Sequence, residues 1–243
     1  MKAKLIITLF ALALFTMGAK AQSVVITGKK VTYKRPKPMM DYKKSFTINS
    51  PKVKAATPAL SKKIEGSISY AKVLGLDLKG ELSDMQWLES ADYEVGYNKN
   101  GILSISLSME GSGAYPSGST KFVVVDLRSG LRATPAAVFT NAPGLLSLVK
   151  KAKEKEIANA IIEIKKDKEN GDINAEDLFK DSYQYSPVKL NEFSVSDKGL
   201  TFHYDYGFPH VILALQPPGE FFFTWAQLKP YIKPAGLLSR FKR

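Results

Sequence analysis

The sequence predicts an α+β fold: an antiparallel sheet built from hairpins, with one long helix packed on one face. Segments in which apolar and polar residues alternate come in pairs separated by turn residues, which is the pattern of β-hairpins. Segments with apolar residues every three or four positions form blocks between those pairs. They do not alternate singly with strands, as they would in a parallel βαβ fold.

The N-terminal part of the chain predicts one strand and one helix. Residues 22–33 form either a strand or an extended arm, and the two prolines in residues 34–38 predict a linker. Residues 42–48 alternate as a first strand of the body. Residues 49–51 (Asn-Ser-Pro) resemble a helix start, and residues 53–68 have helical apolar spacing, with a break or a late start expected at Pro58.

The middle of the chain carries the clearest hairpin. Residues 93–97 and 103–109 both alternate between apolar and polar side chains, and residues 98–101 (Asn-Lys-Asn-Gly) have the composition of a turn. A loop rich in Gly and Ser is expected at 111–119. Residues 121–127 then predict a buried strand.

A long helix is expected to begin at Pro143, because proline is favoured in a first helical turn. Its apolar stripe at 145–152 does not continue directly into the stripe at 157–164, since a five-residue step turns the helix face by about 140°. The charged residues 153–156 fill this gap, so a kink or an exposed bulge is expected there.

The last third returns to strands. Residues 188–195 and 200–206 predict a second hairpin, residues 221–223 a short apolar strand, and residues 225–232 a terminal helix. We therefore divide the chain into a basic arm at 22–41, two halves of one domain at 42–140 and 141–232, and a basic tail at 233–243.

The first 21 residues have the three parts of a secretory signal peptide. Lys2 and Lys4 precede an apolar run from Leu5 to Phe15, and Ala19-Lys20-Ala21 has the small-x-small pattern of a cleavage site. The run is shorter than the roughly 20 residues that a membrane-spanning helix needs. We expect a periplasmic or secreted protein with no transmembrane segment after cleavage, and the absence of cysteine means that its fold needs no disulfide.

Positive charge is concentrated near the N-terminus. The formal net charge is +12, and residues 22–63 hold eleven Lys or Arg side chains against the single acid Asp41. The rest of the mature chain is close to neutral. Because an exported protein rarely meets nucleic acid, we expect no nucleic-acid partner and favour an anionic envelope surface. The alternative is a solvated arm that only aids solubility.

Motifs for catalysis are scarce. There is no Cys, no Gly-x-Ser-x-Gly and no phosphate-binding Gly-rich loop. His203 and Asp205 would share one face of a strand, and His210 could join them in a zinc site. An ordinary polar strand face with a nearby histidine explains the same residues, so we expect no catalytic residue, no metal and no cofactor.

Aromatic residues near the predicted loops are the better candidates for a site. Tyr and Trp side chains bury large areas at little cost in rotamer entropy and are favoured at binding surfaces. We select five residues as candidate binding residues: Tyr115, Pro116, Tyr206, Phe208 and His210.

An ordered series of short motifs resembles a known domain family. They are Tyr93-Glu94-Val95, the 101–104 turn leading to Gly113-Ala114-Tyr115-Pro116, Val125-Asp126-Leu127, Ala137-Val138-Phe139, Ser196-Asp197-Lys198-Gly199-Leu200 and Leu228-Lys229-Pro230-Tyr231-Ile232. Over residues 42–232 the chain resembles the extracellular domain of RsiV-type anti-sigma factors, which is shared with the non-catalytic N-terminal part of peptidoglycan deacetylase C. The resemblance implies an α+β fold and, from the anti-sigma factors, binding of lysozyme.

The chain departs from that family pattern. It shows no later transmembrane segment, no sigma-binding segment and no deacetylase domain, so we expect neither of those activities. The leading hypothesis is a non-enzymatic envelope binding module that recognises lysozyme or cell-wall glycan through the loops at 112–119 and 207–219. One alternative is a metal-dependent enzyme on envelope polysaccharide that uses His203, Asp205 and His210. Another is a purely structural envelope protein anchored by its basic arm.

Overall fold

The computed structural model describes residues 23–167, 173–182 and 187–241. The predicted signal peptide, residues 1–21, lies outside these ranges. Within them, none of the helices combines the length and the apolar character that crossing a membrane requires.

The larger sheet has five strands in the order in which they occur along the chain. They are β1 (Val25–Lys34), β2 (Ser45–Lys54), β3 (Leu88–Lys99), β4 (Ile102–Ser112) and β5 (Pro116–Asp126). All neighbours are antiparallel except β2 and β3, which pair in parallel through Thr47–Ser90 and Ile48–Ala91. The α+β class is confirmed, and the sheet is mostly rather than wholly antiparallel.

The predicted basic arm is instead part of this sheet. Strand β1 pairs with β2 along ten consecutive residues, so the strand alternative for this segment is correct. Strand β2 also runs through residues 49–51, which were expected to start a helix, and Pro51 is buried there. The helix begins later, at the proline expected to delay it: α1 spans Pro58–Ser67, and the Thr57 side chain accepts from the Leu60 N–H at its start.

A buried ion pair fixes the segment between β1 and β2. Arg35 is 4% exposed, and its Nη2 lies 3.3 Å from the Glu81 Oε2. Arg35 also donates to the carbonyl oxygens of Glu81 (3.0 Å), Leu88 (2.7 Å) and Lys43 (2.6 Å), while Glu81 Oε2 accepts from the Leu88 N–H. These hydrogen bonds compensate both buried charges. They also tie the linker to α3 (Leu78–Leu82) and to the start of β3.

One face of the five-stranded sheet is covered by short helices. Helices α1, α2 (Tyr70–Val73) and α3 lie between β2 and β3 in sequence and pack with the sheet in one core cluster. Ile64, Ile68 and Leu107 are fully buried in it. The long connection is needed because parallel neighbours cannot be joined by a tight turn.

The second layer is built around a three-stranded antiparallel sheet of β6 (Phe193–Val195), β7 (Gly199–His203) and β8 (Glu220–Thr224). The accompanying helices are α4 (Pro135–Val138), α5 (Ala142–Lys166), α6 (Ala175–Phe179) and α7 (Trp225–Leu228). Leu145 and Val149 of α5 pack in the same core as Phe193, Phe202 and the outward side of β4 and β5. The long predicted helix therefore lies on the smaller sheet.

The expected bulge in the long helix does not form. Helix α5 is continuous, and Lys153 is fully buried, with its Nζ 3.9 Å above the Tyr204 ring. Burial, followed by repulsion from Lys189, lowers the pKa of Lys153 to about 8. The helix stays regular because the segment that contains Tyr204 covers the charged gap between its two apolar stripes.

The C-terminal elements are shorter than predicted. Strand β7 ends at His203 rather than Tyr206, and α7 ends at Leu228 rather than at residue 232. The predicted basic tail includes a 3₁₀ helix at Leu237–Phe241 that packs on the domain: Leu238 is buried, and Phe241 stacks on Trp225 with ring centroids 4.0 Å apart.

Replacing Arg35 by Met is expected to lower the free energy of unfolding by about 3–5 kcal/mol, because Glu81 would remain buried without its cation. Urea denaturation measures the loss. Lys43→Ala, which breaks an exposed pair with Glu89, should cost no more than about 1 kcal/mol. The double variant R35M/E81M should recover much of the loss, and an equal or larger loss would contradict this account.

Candidate ligand-binding cleft

A cleft lies where the two sheets meet. It encloses about 570 Å³ and is open to solvent. One wall is formed by residues 116–122 of β5, and the other by Glu192, residues 203–205 and parts of residues 207–220. Of the two segments predicted to be binding loops, residues 116–119 belong instead to β5, where they pair with β4, and residues 207–219 include a 3₁₀ helix at His210–Leu215. Both segments still contribute to the walls of one cleft.

Two aromatic contacts join the walls. The ring of Phe122 lies parallel to the His203 ring, with centroids 3.4 Å apart and an interplanar angle of 4°. At the mouth, Tyr115 stacks on His210 with centroids 4.9 Å apart and an angle of 20°. Tyr115 is still 61% exposed, so most of this ring pair is available to a ligand.

Polar contacts hold β5 and β6 in place beside the cleft. The buried Ser104 Oγ accepts from the Val195 N–H at 3.1 Å, which joins β4 to β6. Lys121 on β5 forms a partly exposed ion pair with Glu192 at 3.1 Å. The hydrogen bond from Val195 contributes more to stability than this ion pair, because a buried backbone N–H without an acceptor is costly.

The loop at 207–219 is fixed at both ends. Gly207 and Gly219 both have positive φ, and a Cβ on Gly219 would lie 1.8 Å from the Tyr204 carbonyl oxygen, so only glycine fits there. Glu156 Oε2 on α5 accepts from the Gly219 N–H at 3.2 Å and from the Tyr206 hydroxyl at 2.8 Å. The loop is thereby tied to the long helix.

The predicted binding residues separate into two groups. Pro116 and His210 line the cleft, and Tyr115 lies beside it, stacked on His210. Phe208 borders the cleft, but it is 8% exposed and its ring packs at 5.1 Å from that of Phe179. Tyr206 does not line the cleft. It is buried in the core, where its hydroxyl donates to Glu156.

The sequence interpretation missed several cleft residues. Phe122 was assigned only to a buried strand, and Glu192 and Glu220 lie next to or at the end of short predicted strands. Glu220 is paired directly opposite His203, so both project from the same face of the small sheet. The alternation of β7 indicated that face, but not what would lie opposite it.

The candidate metal ligands do not converge. His203 contacts Phe122 and Ser194, His210 stacks on Tyr115, and Asp205 Oδ1 accepts from the Gly207 N–H at 2.9 Å. Within residues 23–167, 173–182 and 187–241, no three His, Asp or Glu side chains are grouped as metal ligands would be. The His203–Asp205–His210 set that was considered as an alternative zinc site is therefore not assembled.

A Ser-His-Glu series does occur, but it is poorly suited to nucleophilic catalysis. Ser194 Oγ and His203 Nε2 are 2.8 Å apart, while His203 Nδ1 and Glu220 Oε1 are 3.9 Å apart, beyond hydrogen-bond distance. Burial lowers the pKa of His203 to about 4. A base this weak would hold a proton from serine poorly near neutral pH, so the contact serves to orient the ring.

Charge in the cleft is unbalanced towards acid. Glu192, Asp205 and Glu220 contribute three carboxylates, against one ammonium group from Lys121. The cleft thus combines aromatic faces with hydrogen-bond acceptors. This chemistry suits a ligand rich in hydroxyl or amide donors, or one that carries positive charge.

Comparison with known proteins identifies the architecture. No protein-family model matches the sequence, and no curated protein matches it. A DUF3298-family protein from Bacteroides fragilis NCTC 9343 is 13% identical and has a TM-score of 0.57, covering 92% of this chain and 99% of that one. A DUF3298-family protein from Pseudomonas aeruginosa PAO1 is 15% identical, with a TM-score of 0.53 and coverages of 87% and 95%.

The chain has a DUF3298-type fold. At such low identity the DUF3298 structures establish the arrangement of the elements and no activity. The RsiV-type assignment made from the sequence is finer than this shared fold and stays a prediction.

Ser104→Ala is expected to lower the free energy of unfolding by about 1–3 kcal/mol, because the buried Val195 N–H loses its acceptor. Ser106→Ala, two residues along the same strand and on the same face, is the matched control and should change stability by less than about 0.5 kcal/mol. Thermal and urea denaturation measure both. Equal effects would show that the Ser104 contact does not hold the sheets together.

Stability should fall in acid partly through His203. Its pKa is about 4 when folded and about 6.5 when unfolded, so the unfolded chain binds the proton first and unfolding becomes easier as pH falls from 6.5 towards 4. His203→Gln removes this proton but keeps an amide beside Ser194. Between about pH 7 and about pH 4.5, urea denaturation should show a smaller loss of stability for H203Q than for the wild type. Parallel pH curves would contradict the assignment.

Proposed function

We propose that this chain is a non-enzymatic binding module of the cell envelope, and that its cleft binds cell-wall glycan. The stacked and largely exposed pair Tyr115–His210 at the mouth of a polar cleft is the observation that carries this proposal. The protein would act in the periplasm or after secretion, as the composition of residues 1–21 favours.

The shape of the cleft suits an extended ligand. Its volume of about 570 Å³ is within the usual range for small-molecule sites, and its open side lets a polymer enter and leave. Strand β5 and the doubly fixed 207–219 loop form the walls, so little ordering of the protein is needed on binding.

The chemistry of the lining suits a sugar. Aromatic rings offer apolar faces to the C–H faces of a pyranose, and Tyr115 and His210 supply such a surface at the entrance. Deeper in, the carboxylates of Glu192, Asp205 and Glu220 can accept from hydroxyl and N-acetyl N–H groups. No step of bond cleavage is part of the proposal.

Lysozyme is the second candidate ligand. The RsiV-type resemblance implies it, and the three cleft carboxylates would attract the cationic surface of lysozyme. The exposed lysines of β1, namely Lys29, Lys30 and Lys34, would repel it. We propose that they contact the anionic envelope surface instead, which leaves the cleft free to bind.

Tyr115→Ala is expected to weaken retention on purified peptidoglycan about tenfold, because an exposed aromatic anchor contributes roughly 1–2 kcal/mol to binding. Tyr42→Ala, in the loop between β1 and β2 and away from the cleft, is the control and should bind as the wild type does. Sedimentation with peptidoglycan, and a parallel pull-down with lysozyme, give the two measurements.

The salt dependence separates the cleft from the lysines of β1. Retention on peptidoglycan through the cleft should persist from about 0.1 M to about 1 M salt, whereas retention through the exposed lysines should be lost over that range.

Loss of lysozyme binding alone in Tyr115→Ala would favour the second candidate. Absence of retention by both ligands, or equal retention by Y115A and the wild type, would overturn the proposed function.

A further inference from the structure

A second hollow, distinct from the cleft, lies at the C-terminal end of β5. It encloses about 320 Å³ between the end of β5 and the C-terminal 3₁₀ helix. Its polar lining consists of Asp126, Arg128, Ser239 and Arg240. The lining of the cleft ends on β5 at Phe122 and that of the hollow begins at Asp126, so roughly 13 Å of strand separate the two, and they share no lining residue.

Two guanidinium groups from different elements line this hollow. Arg128 is exposed just after β5, and Arg240 is half-buried in the C-terminal 3₁₀ helix. The Arg240 side chain lies against the β3–β4 turn: a Cβ on Gly101, which has φ +70°, would lie 2.6 Å from the Arg240 Nη1. The turn therefore needs glycine for its backbone, and the Arg240 guanidinium lies close against it.

Neither guanidinium is neutralised by an ion pair within the described ranges. Asp126 is the nearby acid, and its Oδ1 accepts from the backbone N–H of Arg128 at 3.1 Å. Burial and then repulsion from Arg128 lower the pKa of Arg240, and Asp126 opposes this with a smaller effect. The hollow thus keeps an excess of positive charge.

We propose that this hollow binds a phosphate group through Arg128, Arg240 and the Ser239 hydroxyl. A guanidinium presents a planar fork of N–H donors that matches two phosphate oxygens, and binding relieves the repulsion between two such groups. The Ser239 hydroxyl can donate to a further oxygen. A multiply charged oxyanion fits two convergent forks better than a single carboxylate does.

The phosphate could belong to a free anion or to a headgroup of an envelope lipid, since both present the same oxygens. The first measurement is a titration of the full mature chain with inorganic phosphate, monitored by the NMR chemical shifts of the backbone amides. Amides of Gly101 and Ser239 are expected to move on binding. No movement at either position would overturn the proposal without any substitution.

The second measurement compares variants by calorimetric titration with phosphate. R128Q/R240Q is expected to bind at least about tenfold more weakly than the wild type, since two charge-assisted contacts are lost. Arg132→Gln is the control: it removes one positive charge, but its side chain donates to the Ser67 carbonyl oxygen, outside the hollow. Equal weakening by Arg132→Gln would mean a general charge effect and would overturn the site.

Vesicles distinguish the two sources of phosphate. Sedimentation with phosphatidylglycerol vesicles, compared with phosphatidylcholine vesicles, should show binding that R128Q/R240Q loses if the headgroup is the ligand. Binding of inorganic phosphate but not of vesicles supports the site with a soluble source. Unchanged phosphate binding by R128Q/R240Q, with an unchanged unfolding midpoint, would show that the hollow is not the site.

Discussion

The docking of the small sheet against β4 and β5 is the constraint on which the rest of the molecule depends. The Val195 N–H donates to the buried Ser104 Oγ, and the Phe122 and His203 rings stack beside this contact. Without the docking, the outward faces of β5 and β7 would both be open to solvent, and no cleft would exist between them. The two layers share an apolar core there, which supplies most of the driving force, while the hydrogen bond selects the register.

Strand β5 serves as a rigid support for both proposed sites. Its first half forms a wall of the cleft, and its last residue borders the basic hollow. It is paired with β4 along its whole length, and β4 is in turn paired with β3. The Arg35–Glu81 pair holds the opposite side of the sheet by closing the segment that leads into β2. Binding groups carried on such a support lose little freedom when a ligand arrives.

The proposed role of the cleft is recognition without reaction. His203 is held by Ser194 and Phe122, and burial keeps its pKa well below the neutral range, so it is a poor proton acceptor. The exposed ring pair Tyr115–His210 offers contact area without a reactive group beside it. The DUF3298-type fold shared with two structures agrees with the predicted α+β class.

The sequence by itself determined the local elements, such as the hairpin turn at 98–101, the long helix and the short connection that carries Tyr115, because turn chemistry and apolar periodicity are local properties. Only the tertiary structure decided that residues 25–34 pair with β2, that Lys153 is buried under Tyr204 and that Tyr206 turns inward to Glu156. Periodicity states which side chains share a face. What covers that face depends on contacts between residues far apart in the chain, as with Ser104 and Val195, and no local pattern encodes them.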